Sequence, residues 1–244
     1  MLSFSKLQTR FMFIIFYIKR LFLYKFKATI VSAMDDCTYG IGFEGAMPWH
    51  IKSDLKNFKI ETSQNKYAKY GVKNVLICGR KTYESLGRKN LPGRHMIVIT
   101  RNPITYFNSI TNKDYLKLDL DKHSNFVIIK NTRNEYTIFL KSPKLIYFPL
   151  KMLAHMDKYI GKIFIIGGSQ IYNEFIINKF KGITVNKSVL TFISNKDNKH
   201  FRSVFNGRYD SYFPFKRLKE YGFKAYKSRQ LEEGVKLTYY ENRV

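Results

Sequence analysis

The sequence has little acid, little cysteine and no long unbroken apolar segment. Eighteen Asp and Glu stand against 43 Lys and Arg, a formal net charge of +25 over 244 residues. Such an excess attracts polyanions and leaves nucleic acid open as a partner. The basic residues are scattered along the chain rather than gathered into one stripe or motif, which favours solvated lysines over a nucleic-acid face. The two cysteines, Cys37 and Cys78, form no C-x-x-C pair, so neither a disulfide framework nor a zinc site is supported, and a reducing, cytoplasmic setting fits. Five widely separated histidines fall in no metal motif, and no metal site is expected. The apolar runs FMFIIFYI and LFLY near the N-terminus are split by Lys19-Arg20, well short of the roughly 20 residues that a membrane span needs. No small-residue cleavage site follows them. Residues 1–27 are basic and acid-free, and read either as a targeting segment for an organelle (mitochondrion or plastid) or as a disordered or family-specific extension.

What is present begins at Ala28. With 45% apolar residues the remainder can bury one sizeable core, so one domain over 28–244 is expected. ATIVSAM, NVLICG, HMIVIT and KIFIIGG are continuous apolar runs suited to strands buried on both faces. Between them lie a loop at 35–49, a helix capped by Ser53 and running to about Thr62, one or two helical turns over RKTYESLG ended by Gly87, and the helix SQIYNEFI. Within 102–142 the periodicity deteriorates; FVIIK and YTIFL are candidates for a hairpin inside an insertion. KLIYF reads as a strand, PLKMLAHMDKY as a helix and SVLTFI as a strand. The segment 194–209 reads as an expanded loop. FKRLKEYGFKAYKS and VKLTYYENR read as a C-terminal antiparallel hairpin. Strands alternating with helices predict an α/β sheet.

The chemistry concentrates in Tyr39–Phe58, YGIGFEGAMPWHIKSDLKNF: a glycine-bearing loop, a Pro-Trp corner, and Asp54 in a first helical turn with Leu55 and Phe58 on the same face. Three further junctions, ICGRKT, ITRNP and IIGGSQIY, follow strands, where α/β folds bind ligands. Backbone N–H groups, two cations and a hydroxyl at Gly79, Arg80, Lys81 and Thr82 suit a pyrophosphate. None has the G-x-G-x-x-G spacing, so an ordinary dinucleotide fingerprint is not indicated.

GIGFEGAMPWHIKSDLKNFKIET, ICGRKTYESLGRKNLPGRHMIVITR, IFIIGGSQIYNEF, LTFI and DSYFP occur in the order and approximate spacing of dihydrofolate reductases, and GVKLTYYEN resembles that family's last strand. The resemblance covers about 28–244. It implies a mixed sheet of about eight strands with flanking helices, NADPH as hydride donor, and reduction of 7,8-dihydrofolate. Asp54 matches the acid of the pterin pocket, Thr191 the hydroxyl that orients it, and Trp49 the indole near substrate and cofactor. Val31, Ser32, Leu55, Phe58, Leu91, Ile166 and Tyr172 match walls of the substrate site, and Arg94 the group that pairs with the substrate's α-carboxylate. On the cofactor side the resemblance implies Ala33, Ile41, Gly42, Gly45, Met47, Gly79, Arg80, Lys81, Thr82, Thr100, Arg101, Ile166, Gly167, Gly168, Ser169, Gln170, Ile171 and Tyr172. Thr100 and Arg101 match the position of the adenosine 2′-phosphate, and Ile41 to Trp49 the lid over the nicotinamide, with Gly40, Gly42 and Gly45 as hinges.

The chain departs from the family pattern at the loop DDCTYG, after Arg101 and between Ile193 and Asp210. These departures touch the second 2′-phosphate contact and the brace of the lid, where Tyr209 and Asp210 stand. Antifolates would be ligands of the same pocket, and some members of the family are fused to thymidylate synthase. The alternatives are an inactive reductase-like protein that binds nucleic acid, or a related pterin or pyrimidine reductase of the same fold.

Overall fold

The computed structural model describes residues 25–110, 116–120, 125–157, 159–194, 201 and 207–242. The N-terminal readings on 1–24 and most of the expanded loop 194–209 lie outside them. In chain order the elements are β1 (Phe26–Asp35), β2 (Gly40–Gly42), α1 (Lys52–Ser63), β3 (Asn74–Gly79), α2 (Arg80–Ser85), β4 (Arg94–Ile99), α3 (Pro103–Ser109), β5 (Leu116–Leu120), β6 (Phe126–Lys130), β7 (Tyr136–Leu140), α4 (Tyr147–Met156), β8 (Ile163–Gly167), α5 (Ser169–Ile177), β9 (Ile183–Ile193), β10 (Ser211–Tyr212), α6 (Phe215–Glu220), β11 (Phe223–Glu232) and β12 (Val235–Asn242). One ten-stranded sheet runs β11-β12-β9-β1-β8-β3-β4-β7-β6-β5, and β2 pairs with β10 apart from it. β1, β9, β8, β3, β4 and β7 are mutually parallel, whereas β11, β12, β6 and β5 join by antiparallel pairing.

The apolar runs become central strands because both faces are covered. Alternate side chains separate cleanly: Ile30, Val75, Ile77, Ile97 and Ile138 pack in one cluster with Leu150 and Leu153 of α4 and Phe175 of α5. Val31, Leu76, Cys78, Met96, Val98 and Phe139 pack in the other with Tyr83 of α2 and Tyr106 of α3. Among the described residues no helix is long and apolar enough to cross a membrane.

Four readings need correction. The strand β1 starts at Phe26, which is buried, two residues before Ala28. Ser53 does not cap α1: Ile51 occupies that position without a side-chain hydrogen bond, and Ser53 lies inside the first turn. KLIYF is no strand; Ser142 accepts the Lys144 N–H, Pro143 opens a 3-10 turn, and the chain passes into α4. The periodicity of a short apolar run does not separate a strand from a buried helix face, and here the preceding Ser-Pro decides it. FKRLKE likewise forms α6, burying Phe215 and Leu218 three residues apart. The strand expected from KLIYF is supplied by YTIFL, which lies parallel to β4 and also forms the anticipated hairpin with FVIIK. β5 and β6 lie beyond it and extend the sheet past the eight strands expected.

Candidate active site

The site is made by a splay in the sheet. β1 pairs with β8 only over Ala28–Ile30, while its pairing with β9 continues to Asp35. Beyond Ile30 the carboxyl ends of β1 and β8 therefore separate, and a cleft of about 1530 Å³ opens between them, at the kind of strand-end crevice where α/β sheets bind ligands. Tyr172, from α5, donates its hydroxyl to the Val31 carbonyl across the gap at 2.8 Å. Burial pushes its phenol well above the usual range, so it stays a donor.

Asp54 projects from the first turn of α1 onto the inner wall and is 7% exposed. Burial raises its pKa above the ordinary carboxylate value, and a hydrogen bond with Thr191 of β9 works in the opposite direction. Leu55 and Phe58 line the same wall, with Leu55 more exposed toward the cleft. A carboxylate set in this wall has its orientation fixed by a neutral hydroxyl, with no cation needed to hold it.

At one end, Arg94 is 3% exposed yet lines the cleft. Its Nη1 donates to Thr62 Oγ1 at 2.8 Å and its Nε to the Pro92 carbonyl at 3.1 Å. Those two bonds fix a five-donor fork whose other donors remain for a ligand. Desolvation lowers its pKa, and the charge of Glu135 acts against that.

The opposite end carries exposed cations. Arg80, Lys81 and Thr82 sit at the start of α2, and Arg101 follows β4. Arg80 is already engaged: its Nη1 donates to Glu84 at 2.9 Å, and its guanidinium stacks over Tyr106 at 5.9 Å from the ring centroid. Lys141, Ser142 and Lys144 complete this rim, and with Arg101 they also border a smaller recess of about 450 Å³. Residues 141–144 were missed because the sequence does not reveal that YTIFL lies beside β4. Once that pairing is known, the chain after β7 has to fall next to Arg101.

Glycines let the cleft narrow between these ends. Gly167 has φ of +118°, and a Cβ there would meet the Tyr172 hydroxyl at 3.1 Å. The Gly167-Gly168 peptide is cis.

The lid at Ile41–Met47 lines the cleft mouth. Its tip is a two-residue turn in which Phe43 and Ala46 exchange backbone hydrogen bonds and both Glu44 and Gly45 have positive φ, the signature of a type I′ hairpin. Of the three expected hinge glycines, only Gly45 uses that backbone freedom. Gly40 is a packing glycine, since a Cβ there would fall 2.1 Å from the Tyr209 ring. The brace is present despite the altered loop before it: β10 pairs with β2, Asp210 accepts the Glu44 N–H at 2.8 Å, and the Tyr209 hydroxyl donates to Asp35 at 3.1 Å.

Of the site residues named from the sequence, all line this cleft except Trp49 and the hinge glycine Gly40. That indole is 1% exposed and packs with Ile51, Ile193, Tyr209 and Val235 beneath the lid, edge-on to Phe201. Its place is the lid's foundation rather than the cleft wall. Asn57 and Lys59 also line the cleft and were missed, although they lie one turn beyond Asp54 and Leu55 on α1.

Fold and site together define an α/β protein whose strand-end cleft joins a buried acid to a cationic rim of the kind that holds phosphates. Residues 27–129 match the dihydrofolate reductase family model. Dihydrofolate reductase of Schizosaccharomyces pombe is 34% identical over 154 residues, which cover 60% of this chain and 30% of that protein. The Candida albicans enzyme is 31% identical over 153 residues, 62% of each. The bifunctional dihydrofolate reductase-thymidylate synthase of Glycine max is 32% identical over 147 residues, 59% of this chain and 22% of that one. The chain thus spans less than two thirds of the length of these relatives. Enterococcus faecalis dihydrofolate reductase, solved in complex with NADP(H) and RAB-propyl, superimposes with a TM-score of 0.53 at 23% identity, covering 91% of this chain and 99% of that one, and shows the same fold. Over residues 27–129, and over the segments shared with these relatives, the chain is similar to dihydrofolate reductases.

Proposed function

We propose that the chain reduces 7,8-dihydrofolate to 5,6,7,8-tetrahydrofolate with NADPH. The observation that carries this reading is the buried Asp54, oriented by Thr191, on the wall of a cleft that also holds Arg94 and a row of exposed cations. The cleft fits NADPH by the chemistry of its donors. Lys81 and Thr82 would hold the pyrophosphate, and Arg101, Thr100 and Lys141 the 2′-phosphate, an extra dianion that needs compensating charge. Gly167, Gly168 and Ile166 would flank the nicotinamide, and the relative solved with NADP(H) supports the same choice of cofactor. When bound, NADPH supplies the hydride that C6 of the pterin receives.

The rest is done by the chain itself. Asp54 would accept hydrogen bonds from the pterin 2-amino group and N3–H, polarising the ring without touching N5. The N5 proton comes from solvent. Phe58, Leu55 and Val31 supply apolar walls, which keep the Asp54 environment dry and its hydrogen bonds strong. Arg94 would pair with the glutamate α-carboxylate in a bidentate manner. The lid, with its tip tied to Asp210, excludes bulk water from the hydride path.

The test is NADPH oxidation followed at the nicotinamide absorbance with dihydrofolate as substrate. Asp54→Asn should lose at least about a hundredfold in turnover near neutral pH and recover part of it at low pH, where substrate arrives already protonated. A folded, NADPH-binding wild type that shows no dihydrofolate-dependent oxidation would overturn the assignment.

A further inference from the structure

Glu135 is a carboxylate buried to 2% exposure at the end of the β6–β7 turn, and the chemistry described above makes no use of it. A buried anion is costly unless its oxygens are well satisfied, and here each has a specific partner. Oε1 accepts the Gly93 N–H at 2.7 Å. Oε2 accepts Asn131 Nδ2 at 2.8 Å and two donors of Arg133, Nε at 3.0 Å and Nη2 at 2.9 Å. The Glu135 N–H in turn donates to Asn131 Oδ1 at 2.9 Å.

Gly93 is the residue before Arg94, and its φ of +76° is one that an L side chain rarely adopts. The same loop is fastened at its other end, where Arg133 Nη2 donates to the Asn90 carbonyl at 3.3 Å and Asn90 Nδ2 donates to the Tyr136 carbonyl at 3.1 Å. The loop that presents Arg94 is therefore tied to the β6–β7 turn at both ends, and Glu135 makes the tie nearest the guanidinium.

We propose that Glu135 is a positioning residue for recognition of the substrate's glutamate tail: through the Gly93 N–H it holds the 91–94 loop so that Arg94 keeps its fork on the cleft. The inference rests on the reading that the cleft takes dihydrofolate with its α-carboxylate on Arg94. Charge adds a second effect, because the field of Glu135 favours the cationic form of a guanidinium that burial disfavours. Arg133 holds Glu135 in return, so the carboxylate does not compete with the substrate for Arg94.

Steady-state kinetics on two substrates test this, with dihydrofolate and a dihydropterin that lacks the benzoylglutamate tail. Glu135→Ala should raise KM for dihydrofolate roughly tenfold and leave both the tail-less KM and kcat close to wild type. Glu135→Gln, which keeps an acceptor for Gly93 N–H, should recover most of that loss. Glu135→Asp keeps the charge but draws the acceptor back by one methylene. It should raise KM for dihydrofolate alone, and it carries the test should the alanine variant not fold. Equal effects on both substrates, or none on either, would overturn the role. A wild type inactive with dihydrofolate but active with the tail-less pterin would instead strike the substrate reading on which the role depends.

Discussion

The two ends of the cleft hold charge in opposite ways. At the inner end Asp54 and Arg94 are almost fully buried, and the groups that bond them are a hydroxyl of Thr191, a hydroxyl of Thr62 and a backbone carbonyl. Such partners fix direction without cancelling charge, so each ionised group still gains from a ligand of complementary character. At the outer end Lys81, Arg101, Lys141 and Lys144 are exposed, and water already solvates them at little cost. The inner end is an arrangement that selects, since a misfit leaves a buried charge unsatisfied. The outer end attracts anions from a distance and discriminates among them less.

Asp54 carries the largest effect, and it shows up in stability as well as in rate. Its folded pKa lies above the unfolded value of 3.8 because burial disfavours the carboxylate. Below the unfolded value both states are protonated and the group costs nothing. As pH rises past it, the unfolded chain ionises first and stability falls, until the folded carboxyl ionises too and the penalty becomes constant. Asp54→Asn lacks this penalty. The variant that loses turnover should therefore be the more stable protein at neutral pH, by about 1 kcal/mol, with the difference vanishing below pH 3.8. Denaturant unfolding of both proteins at several pH values measures it. A less stable asparagine variant at neutral pH would show that the buried charge is better compensated than its neutral partner implies.

Arg94→Lys comes next. Lysine keeps the charge but has no planar fork, so it cannot hold Thr62 and Pro92 and also grip a carboxylate with two parallel bonds. KM for dihydrofolate should rise about tenfold, while KM for a pterin without the glutamate tail stays near wild type. If both rise together, the inner end acts as one packed unit and Arg94 is not a separate recognition group.

The inner end was also the more legible in the sequence. Asp54, Leu55 and Phe58 share one helix face by their spacing, whereas Thr191 and Arg94 follow from the resemblance to dihydrofolate reductases. The central strands were legible because double burial leaves unbroken runs such as NVLICG. What stayed hidden depends on pairing between distant segments. Lys141 and Lys144 reach the rim only because β7 lies beside β4, and KLIYF looks like that strand until Ser142 and Pro143 turn it into a helix. Glu135 and Gly93 are 42 residues apart, and only the paired β4 and β7 bring them together. Trp49 was placed on the cleft by its motif, but the backbone bridge to Phe201 and the packing of Tyr209 draw it under the lid. The glycines of the lid read alike in the sequence, yet Gly40 serves a tyrosine ring and Gly45 a turn.

The smallest effects belong to the exposed rim, and their dependence on salt is what identifies them. Arg101→Ala and Lys141→Ala should each raise KM for NADPH by only about threefold at physiological ionic strength, the scale of one solvent-exposed ion pair. The effect should grow in dilute buffer, because screening over about 8 Å at 0.15 M weakens attraction between solvated charges and lengthens to about 30 Å at 0.01 M. KM for NADH, which lacks the 2′-phosphate, should change less in both variants, so the ratio of the two cofactor KM values reports the loss directly. The Arg94→Lys effect at the buried end should be nearly indifferent to the same change of salt. Kinetics at two ionic strengths, for these three variants and wild type, therefore separate the two ends. A salt-independent loss at Arg101 would mean that cofactor binding buries it, and that the outer end also selects.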